Sequence, residues 1–170
     1  MLAELGADAI HIESPTRPDM TRFWTVRVEL EGDLWEKSSY FSQHNRGKRS
    51  LILDLAHEEA RQIIRELVAE CDIVINNYSR RVMDNWGFTY ESLLRHNPKL
   101  VYVTMPSYGA TGPHRDYVSF GDSLQAAAGI VRWRGYGPDE PRRAGSPMPD
   151  PYSAYAVAAL ILAALRHRDA

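Results

Sequence analysis

The sequence predicts an α/β fold built on a doubly wound, mostly parallel, Rossmann-like sheet. Short apolar runs bounded by polar or turn residues predict four strands, at residues 9–12, 50–55, 72–76 and 100–104. Strands that alternate with helices along a chain form βαβ units, whose strands are parallel and whose crossovers are right-handed. No residues repeat at a fixed period and nothing marks an internal boundary, so we expect a single domain over residues 1–170.

The first half of the chain holds two of these strands. The strand at 9–12 ends at Glu13 and precedes a polar, proline-containing stretch that predicts a loop, with a short helix expected within residues 34–42. The basic turn Asn45–Arg49 leads into the second strand. Residues 57–70 then predict a helix with one buried face, because their apolar residues stand at positions 63, 64, 67 and 68.

The second half of the chain holds the other two strands and most of the helices. Helices are predicted at residues 81–86, 90–96 and 120–130, and from residue 150 onwards. Asn97-Pro98 ends the second of these, because the residue before a proline is disfavoured in helical conformation. A loop rich in glycine, proline and arginine, residues 134–149, precedes the last helix.

Composition excludes several classes of protein. The 170 residues are 44% hydrophobic and 25% charged, as in ordinary globular proteins, and the formal net charge of -2 argues against a nucleic-acid partner. The apolar run 154–165 is too short to span a bilayer, which needs about 20 residues, so no membrane partner is expected. The single cysteine, Cys71, gives no sign of an oxidising compartment, and we predict a cytoplasmic location.

The two ends of the chain suggest a piece of a longer protein. Met1–Gly6 is typical of the last turns of a helix closed by a glycine, with no strand before it. Residues 166–170 end without a terminating glycine.

The sequence motifs of several common nucleotide-binding, hydrolase and metal sites are absent. No strand is followed by G-x-G-x-x-G, and the chain has no G-x-x-x-x-G-K-[ST] and no G-x-S-x-G element. The six histidines are scattered without an i, i+4 pair or cysteine partners, so no metal site is predicted.

Ligands of doubly wound folds bind outside the carboxyl ends of the strands. Asn77-Tyr78 and the loop Ser107–Pro113 follow two strands, and the glycines of that loop would let a ligand approach the backbone. Basic residues cluster nearby in sequence, which suits a small polyanion such as a phosphorylated nucleotide, although each cluster alone is equally typical of a solvated surface. They are Arg46, Lys48 and Arg49; Arg80 and Arg81; and Arg142 and Arg143.

Asp150 lies in the stretch Gly145–Tyr152, at the start of the last helix, and is the candidate nucleophile. Taken by itself, Asp150-Pro151 is more typical of a simple helix start, with aspartate as the N-cap and proline at the first helical position, and the motifs along the preceding hundred residues favour the nucleophile. The two interpretations are compatible, because a helix N-terminus favours the ionised carboxylate that attacks.

The ordered set of motifs resembles the family III CoA-transferases, the group of formyl-CoA transferases and carnitine or bile-acid CoA-transferases. The resemblance covers essentially the whole chain, and residues 45–55 match that family's N-R-G-K-R-S-L-x-L-D-L almost letter for letter. The other matching segments are residues 1–13, Asp72–Tyr78, Tyr108–Pro113 and Pro147–Asp150.

This resemblance implies that Asp150 is the catalytic aspartate and that coenzyme A, as an acyl-CoA, is the ligand, with a carboxylic acid as the second substrate and no metal. The CoA-binding residues that it implies, together with the basic residues expected at the phosphates, are Leu53, Asp54, Leu55, Asn77, Tyr78, Tyr108, Arg46, Lys48 and Arg80. Family members are at least about twice as long and form interlocked homodimers. The chain is therefore expected to be the N-terminal part of a large domain, without its first strand and without the small domain.

The sequence departs from the family pattern at three places. The usual E-N-[FY]-R-P-G is Asn76–Arg81 here, so the phosphate-facing arginine is shifted by one position, to Arg80. A lysine that some members carry after L-D-L is Ala56, and Pro151 directly after the aspartate is unusual.

The mechanism that the resemblance implies proceeds through an aspartyl anhydride and an aspartyl-CoA thioester. One alternative is an α-methylacyl-CoA racemase of the same fold, but the His-Asp pair of those relatives is replaced here by Ser119–Asp122, which contains no histidine. Another alternative is a CoA-binding or dimerisation fragment without activity.

Overall fold

The computed structural model describes residues 1–24, 32–137, 139–142, 145 and 148–170. Its strands are β1 (Ala9–Glu13), β2 (Lys48–Ile52), β3 (Ile73–Asn76) and β4 (Val101–Thr104). Its α-helices are α1 (Ser39–His44), α2 (Glu58–Glu70), α3 (Arg80–Asn85), α4 (Tyr90–Leu94), α5 (Gly121–Ala127), α6 (Ile130–Trp133) and α7 (Pro149–Arg168). Short 3-10 helices occur at Ala3–Leu5, Met20–Phe23 and Leu34–Lys37.

The chain divides into two compact units, residues 1–63 and residues 64–170. In the first unit β1 pairs in parallel with β2, with Ala9 opposite Lys48 and Glu13 opposite Ile52. In the second, β3 pairs in parallel with β4, from Ile73 opposite Val101 to Asn76 opposite Thr104. The predicted α/β class with parallel strands is therefore confirmed, and among the described residues the strands form two pairs rather than one continuous sheet.

The strand β2 begins and ends earlier than the predicted 50–55. The amide of Leu53 still donates to the carbonyl of Glu13 at 2.9 Å, but Asp54 then turns the chain. Its side chain accepts from the amide of Ala56 at 3.0 Å, and its carbonyl accepts from the amide of His57. This local turn, which competes with strand pairing, places Leu53–Leu55 in the connection to α2.

Two other boundaries differ from the expected ones for local reasons. The predicted helix 120–130 is two helices, α5 and α6, because Gly129 adopts a left-handed φ of 74° between them. The predicted helix within 34–42 is a 3-10 turn followed by α1, which Ser38 caps by accepting from the amide of Phe41. The glycine closure predicted for residues 1–6 is confirmed, since Gly6 follows a 3-10 turn with φ of 102°.

A buried ion pair organises the loop after β1, which contains a 3-10 turn that the sequence did not predict. The Glu13 side chain is 6% exposed and receives two bonds from Arg22, from Nε to Oε1 at 2.8 Å and from Nη2 to Oε2 at 2.7 Å. The amide of Asp19 adds a third bond at 3.0 Å. The guanidinium of Arg22 also lies 3.7 Å from the ring centroid of Phe41. These contacts lower the pKa of Glu13 from 4.5 to about 2, chiefly through the Arg22 hydrogen bonds.

The second unit has an apolar core drawn from helices and strand ends. Its most buried side chains include Val68, Leu93, Phe88, Leu100 and Ile161. Helix α7 contributes Ala158 and Ile161 and packs on β4 and α5. Most of its other residues are exposed, although the helix is apolar along most of its length.

The side chain of Asn97 links the end of α2 to the beginning of β4 through hydrogen bonds. Its Nδ2 donates to the carbonyls of Val68 at 3.0 Å and Cys71 at 2.7 Å, and its Oδ1 accepts from the amide of Lys99. We expect Asn97→Ala to lower the free energy of unfolding by about 2 kcal/mol, because two part-buried carbonyls and one amide lose their partner. Urea denaturation measures this cost, with Asn85→Ala, an exposed asparagine on α3, as the control. Equal stability of the two variants would contradict this role.

None of the helices in the described part of the chain combines the length and apolar character that crossing a bilayer requires.

Candidate functional site

The carboxyl ends of β3 and β4 lie side by side in the second unit. The amide of Met105 donates to the carbonyl of Asn76 at 2.8 Å, which continues the pairing one residue beyond β4. Asn77 and Tyr78 leave this edge directly after β3. Tyr78 is 48% exposed, with its ring edge-on to Trp86 at 5.1 Å between centroids. The structure therefore places the predicted pair Asn77-Tyr78 at the strand end, with their side chains open to a ligand.

The loop after β4 is held by an aromatic cluster. The ring of Tyr108 lies 6.2 Å from His114 and 5.7 Å from Tyr117, and those two rings are 4.9 Å apart. Ser107 closes the base of the loop by donating from Oγ to the carbonyl of Ser119 at 2.7 Å. Tyr108 was predicted from the sequence, whereas His114 and Tyr117 were not. The sequence signal that could have identified them is the presence of two aromatic rings a few residues after Tyr108, in a loop that contains glycine.

Asn76, at the same edge, stands where the resembling family carries glutamate. Its Nδ2 donates to the hydroxyl of Tyr102 at 3.2 Å, and that hydroxyl donates to the carbonyl of Phe88. Its Oδ1 is buried and has no hydrogen-bond donor within the described part of the chain. The amide therefore retains an unused acceptor beside Asn77 and Tyr78.

The orientation of α7 follows from its last turn. Arg168 Nη1 donates to Asp72 Oδ1 at 2.8 Å and to the carbonyl of Lys99 at 3.4 Å. Asp72 directly precedes β3, and Lys99 lies two residues before β4, so the C-terminal end of α7 is at the amino ends of both strands. Since α7 packs on β4, the helix runs antiparallel to the strands and its first turn points towards their carboxyl ends.

Asp150 lies in that first turn, as the second helical residue, and its side chain is exposed. Helical periodicity places it on the same face as Ala154, Ala158 and Ile161, the last two of which are buried against the rest of the unit. Asp150 thus lies in the exposed first turn of α7, on the helix face that packs against the rest of the unit. This turn is on the side of the strands' carboxyl ends.

The expected N-cap role of Asp150 is wrong. Helix α7 begins at Pro149, and Met148 occupies the N-cap position without a side-chain capping bond. The helix starts one residue early because Pro149 takes the first position, which needs no amide hydrogen. Asp150 remains within the first turn, where the helix dipole acts on an anion. Ser146 and Pro147 of the predicted motif, and Arg143, lie outside the described residues.

The predicted basic contacts of the first unit lie at the other end of their strand from Leu53. Arg46 and Lys48 are at the amino end of β2, where Arg46 pairs with Glu4. Lys48 donates to Asn45 at 2.8 Å, and partial burial lowers its pKa. Arg46 lies in the turn before β2 and Leu53 follows its last residue, so the whole five-residue strand, about 17 Å long, lies between them. Within this unit the structure therefore does not bring Arg46 together with Leu53, Asp54 and Leu55.

Arg80, the predicted phosphate contact after β3, begins α3 and is half exposed. Its Nε lies 3.4 Å from Asp84 one turn later, an exposed pair of small energetic value. Arg80 is therefore available to an incoming phosphate at little cost. In the part of the chain that is described, no three histidine, cysteine, aspartate or glutamate residues are arranged to hold a metal ion.

Comparisons with known proteins agree with the motifs. A sequence model described as "CoA-transferase family III" matches residues 1–170. The chain is 36% identical over 168 residues to a succinate–glutarate CoA-transferase of Agrobacterium fabrum, covering 98% of this chain and 42% of that protein. It is 39% identical over 145 residues to an acetyl-CoA:oxalate CoA-transferase of Acetobacter aceti, covering 85% and 36%.

Among solved structures, the chain resembles a CAIB/BAIF family protein from Brucella suis, with a TM-score of 0.86 and 37% identity. That match covers 99% of this chain and 44% of the other. The chain thus spans less than half the length of the relatives that it matches. The full-length family match, the motif order and the parallel α/β units lead to one conclusion: the chain belongs to CoA-transferase family III.

Proposed function

We propose that this chain carries the nucleophile of a CoA-transferase, which moves CoA from an acyl-CoA to a carboxylic acid. The observation that carries the proposal is the position of Asp150, exposed in the first turn of α7 and on the side of the strands' carboxyl ends. A carboxylate is a weak nucleophile in water, but it gains reactivity when it is held against a bound thioester. The helix dipole favours its ionised, attacking form.

The reaction proceeds in two symmetrical halves. A carboxylate oxygen of Asp150 attacks the thioester carbonyl, the C–S bond breaks, and a mixed anhydride and CoA thiolate result. The thiolate attacks the aspartyl carbonyl carbon and releases the donor acid, which leaves an aspartyl-CoA thioester. The acceptor carboxylate attacks this thioester and forms a second anhydride, and the thiolate then attacks the acceptor's acyl carbon. The new acyl-CoA departs and Asp150 is restored as a carboxylate, with no net proton transfer.

The chain's own residues would bind CoA at several places. In the second unit, Asn77, Tyr78 and Tyr108 surround the carboxyl ends of β3 and β4, where their amide and hydroxyl groups can orient a bound chain. Arg80 would meet a phosphate there, because its only described ion pair is an exposed one. In the first unit we assign CoA contacts to the turn Leu53–Leu55, and phosphate contacts to Arg46 and Lys48.

The relatives and the family resemblance support a proposal for the substrate and the assembly. The named relatives act on small acids such as succinate, glutarate and oxalate, and we infer an acceptor of this kind. Because the chain covers less than half of each relative, we further propose that it is part of one large domain of a longer protein. The family resemblance leads us to propose that this protein is a homodimer. The single cysteine supports a cytoplasmic location.

Trapping of the covalent intermediate tests the proposal. The full-length protein is incubated with succinyl-CoA, acetyl-CoA and other acyl-CoAs, treated with hydroxylamine and digested for peptide mass analysis. We expect an aspartyl hydroxamate at Asp150 with at least one donor, because hydroxylamine attacks both the anhydride and the thioester. Modification at another residue, or exchange of the donor's α-proton without any adduct, would refute the proposed nucleophile.

A further inference from the structure

We propose that Asn76 is a positioning residue for acyl-CoA binding, because its side chain links the end of β3 to the segment on which Tyr78 packs. Asn76 is the last residue of β3 and directly precedes Asn77 and Tyr78, the candidate ligand contacts. It acts through the protein groups that surround Tyr78 rather than by touching the ligand. The inference rests on the proposed function, since it concerns how the ligand edge of a CoA-transferase is held.

A chain of hydrogen bonds joins Asn76 to Phe88. Asn76 Nδ2 donates to the hydroxyl of Tyr102 at 3.2 Å, and that hydroxyl donates to the carbonyl of Phe88 at 3.2 Å. Phe88 is 3% exposed, and its amide donates to the carbonyl of Met83 on α3 at 2.9 Å. The side chain of Asn76 therefore connects two neighbouring strands with the segment between α3 and α4.

The chemistry of the three groups determines the direction of this chain. The carbonyl of Phe88 only accepts, so the Tyr102 hydroxyl gives its proton to it and accepts from Asn76. The amide N–H of Asn76 therefore faces Tyr102 and its Oδ1 faces away, where this oxygen is buried without a hydrogen-bond donor among the described residues. Burial raises the pKa of Tyr102 and the bond from Asn76 lowers it, as a donor to a phenol oxygen does.

Aromatic packing links Phe88 back to Tyr78. The ring of Trp86 lies 6.5 Å from that of Phe88 and 5.1 Å from that of Tyr78, edge-on in both cases. The contacts thus form a closed circuit, from Asn76 through Tyr102 to Phe88, and through the rings to Tyr78, two residues after Asn76. A shift of Asn76 against Tyr102 would change the direction in which the Tyr78 side chain leaves the strand end.

Stability alone does not explain an asparagine at this position. A buried acceptor without a donor destabilises a fold, and an apolar side chain of similar size would avoid that cost. A glutamate, which the resembling family carries here, would not preserve the chain of hydrogen bonds. Its carboxylate only accepts, so the Tyr102 hydroxyl would turn towards it and leave the carbonyl of Phe88 without its donor. The N–H donor of Asn76 is therefore the group that this arrangement uses.

Steady-state kinetics of the full-length protein test the role with Asn76→Leu and Asn76→Asp, which keep the approximate size of the side chain and lack the N–H donor. Each should raise the KM for acyl-CoA by about five- to tenfold and leave kcat within about twofold, because one neutral hydrogen bond is worth roughly such a factor. The urea midpoint of Asn76→Leu should stay within about 0.5 M of the wild type, because this variant also removes the unsatisfied acceptor. A rise in KM confined to Asn76→Asp would reflect its negative charge and would contradict the role of the donor.

Tyr102→Phe tests whether Asn76 acts through the tyrosine hydroxyl. On its own it should raise KM to a similar extent, and in the Asn76→Leu background it should add less than about twofold. Fully additive effects would show that the two residues act independently and would overturn the inference. The controls are Asn85→Leu, an exposed asparagine on α3, and Tyr90→Phe, whose ring lies 6.1 Å from Tyr102. Both should leave KM within about twofold of the wild type.

Direct binding separates this inference from the proposed reaction. Calorimetric titration with CoA measures a dissociation constant without any chemical step, and Asn76→Leu should raise it by about the same factor as KM. If hydroxylamine trapping fails at Asp150 but this loss of affinity is found, the nucleophile is refuted and the positioning role stands. If trapping succeeds and Asn76→Leu has the affinity and KM of the wild type, the positioning role is overturned. Absence of CoA binding by the wild type would refute both.

Discussion

Replacing Asp150 by Ala in the full-length protein should lower the rate of CoA transfer by about 10⁴-fold or more, because no covalent intermediate can then form. Asp150→Asn should lose a similar factor, since a neutral amide is a much poorer nucleophile than a carboxylate. The loss should appear in kcat, with the KM for acyl-CoA little changed, because the nucleophile is needed for bond formation rather than for binding. Chromatographic measurement of both acyl-CoAs over time gives these constants.

The matched control for Asp150 is the aspartate at the opposite end of the same helix. Asp169 is the exposed C-cap of α7 and pairs with Arg168, so Asp169→Asn removes a charge at the end of the helix without changing its first turn. Its transfer rate should stay within about twofold of the wild type. If Asp150→Ala retained more than a few per cent of the activity, another nucleophile would have to be sought.

Replacing Glu13 by Gln should lower the free energy of unfolding by about 3 kcal/mol, because Arg22 would be left largely buried with much of its charge uncompensated. Arg22 is only 12% exposed, and Glu13 supplies both oxygens of its two-bond contact. The control is Glu36→Gln, since Glu36 pairs with the same arginine at 2.9 Å but is 62% exposed. An exposed partner of this kind should be worth at most about 1 kcal/mol. Urea denaturation at pH 7 separates the two expectations.

The stability that Glu13 provides should depend on pH. Its pKa falls from 4.5 to about 2 on folding, so the folded state binds the proton less tightly than the unfolded state. The contribution, about 3 kcal/mol, is complete above pH 4.5 and declines as the pH falls from 4.5 towards 2. Most of it should be lost by pH 3, so wild type and Glu13→Gln should differ much less there than at pH 7. A difference that did not change between the two pH values would contradict this assignment.

The sequence predicted the elements whose signals are local. The apolar runs of β3 and β4 and the amphipathic spacing of α2 appear in the structure within one residue of the expected bounds. The candidate ligand loops follow β3 and β4 as expected, because chain order alone determines which residues follow a strand. The predicted bounds of strands and helices were wrong where a side chain or a glycine interrupts the periodic sequence pattern. Asp54 turns the chain after β2, and Gly129 separates α5 from α6.

Other features of the fold and of the candidate site could not have been inferred from sequence. The pairing of Glu13 with Arg22 joins residues nine positions apart through a loop whose path no local pattern specifies. Arg46 pairs with Glu4 only because β1 and β2 lie side by side in a particular register, and that register is set by contacts between segments that are distant in the sequence. The three rings around Tyr108 similarly require the loop to fold back on itself.

By itself the sequence determined the family, the α/β class and the identity of the candidate nucleophile, because motif order and apolar periodicity are written along the chain. Only the tertiary structure decided where that candidate lies. The contact of Arg168 with Asp72 and Lys99, between residues as many as 96 positions apart, fixes α7 antiparallel to β4 and so places Asp150 on the side of the strands' carboxyl ends.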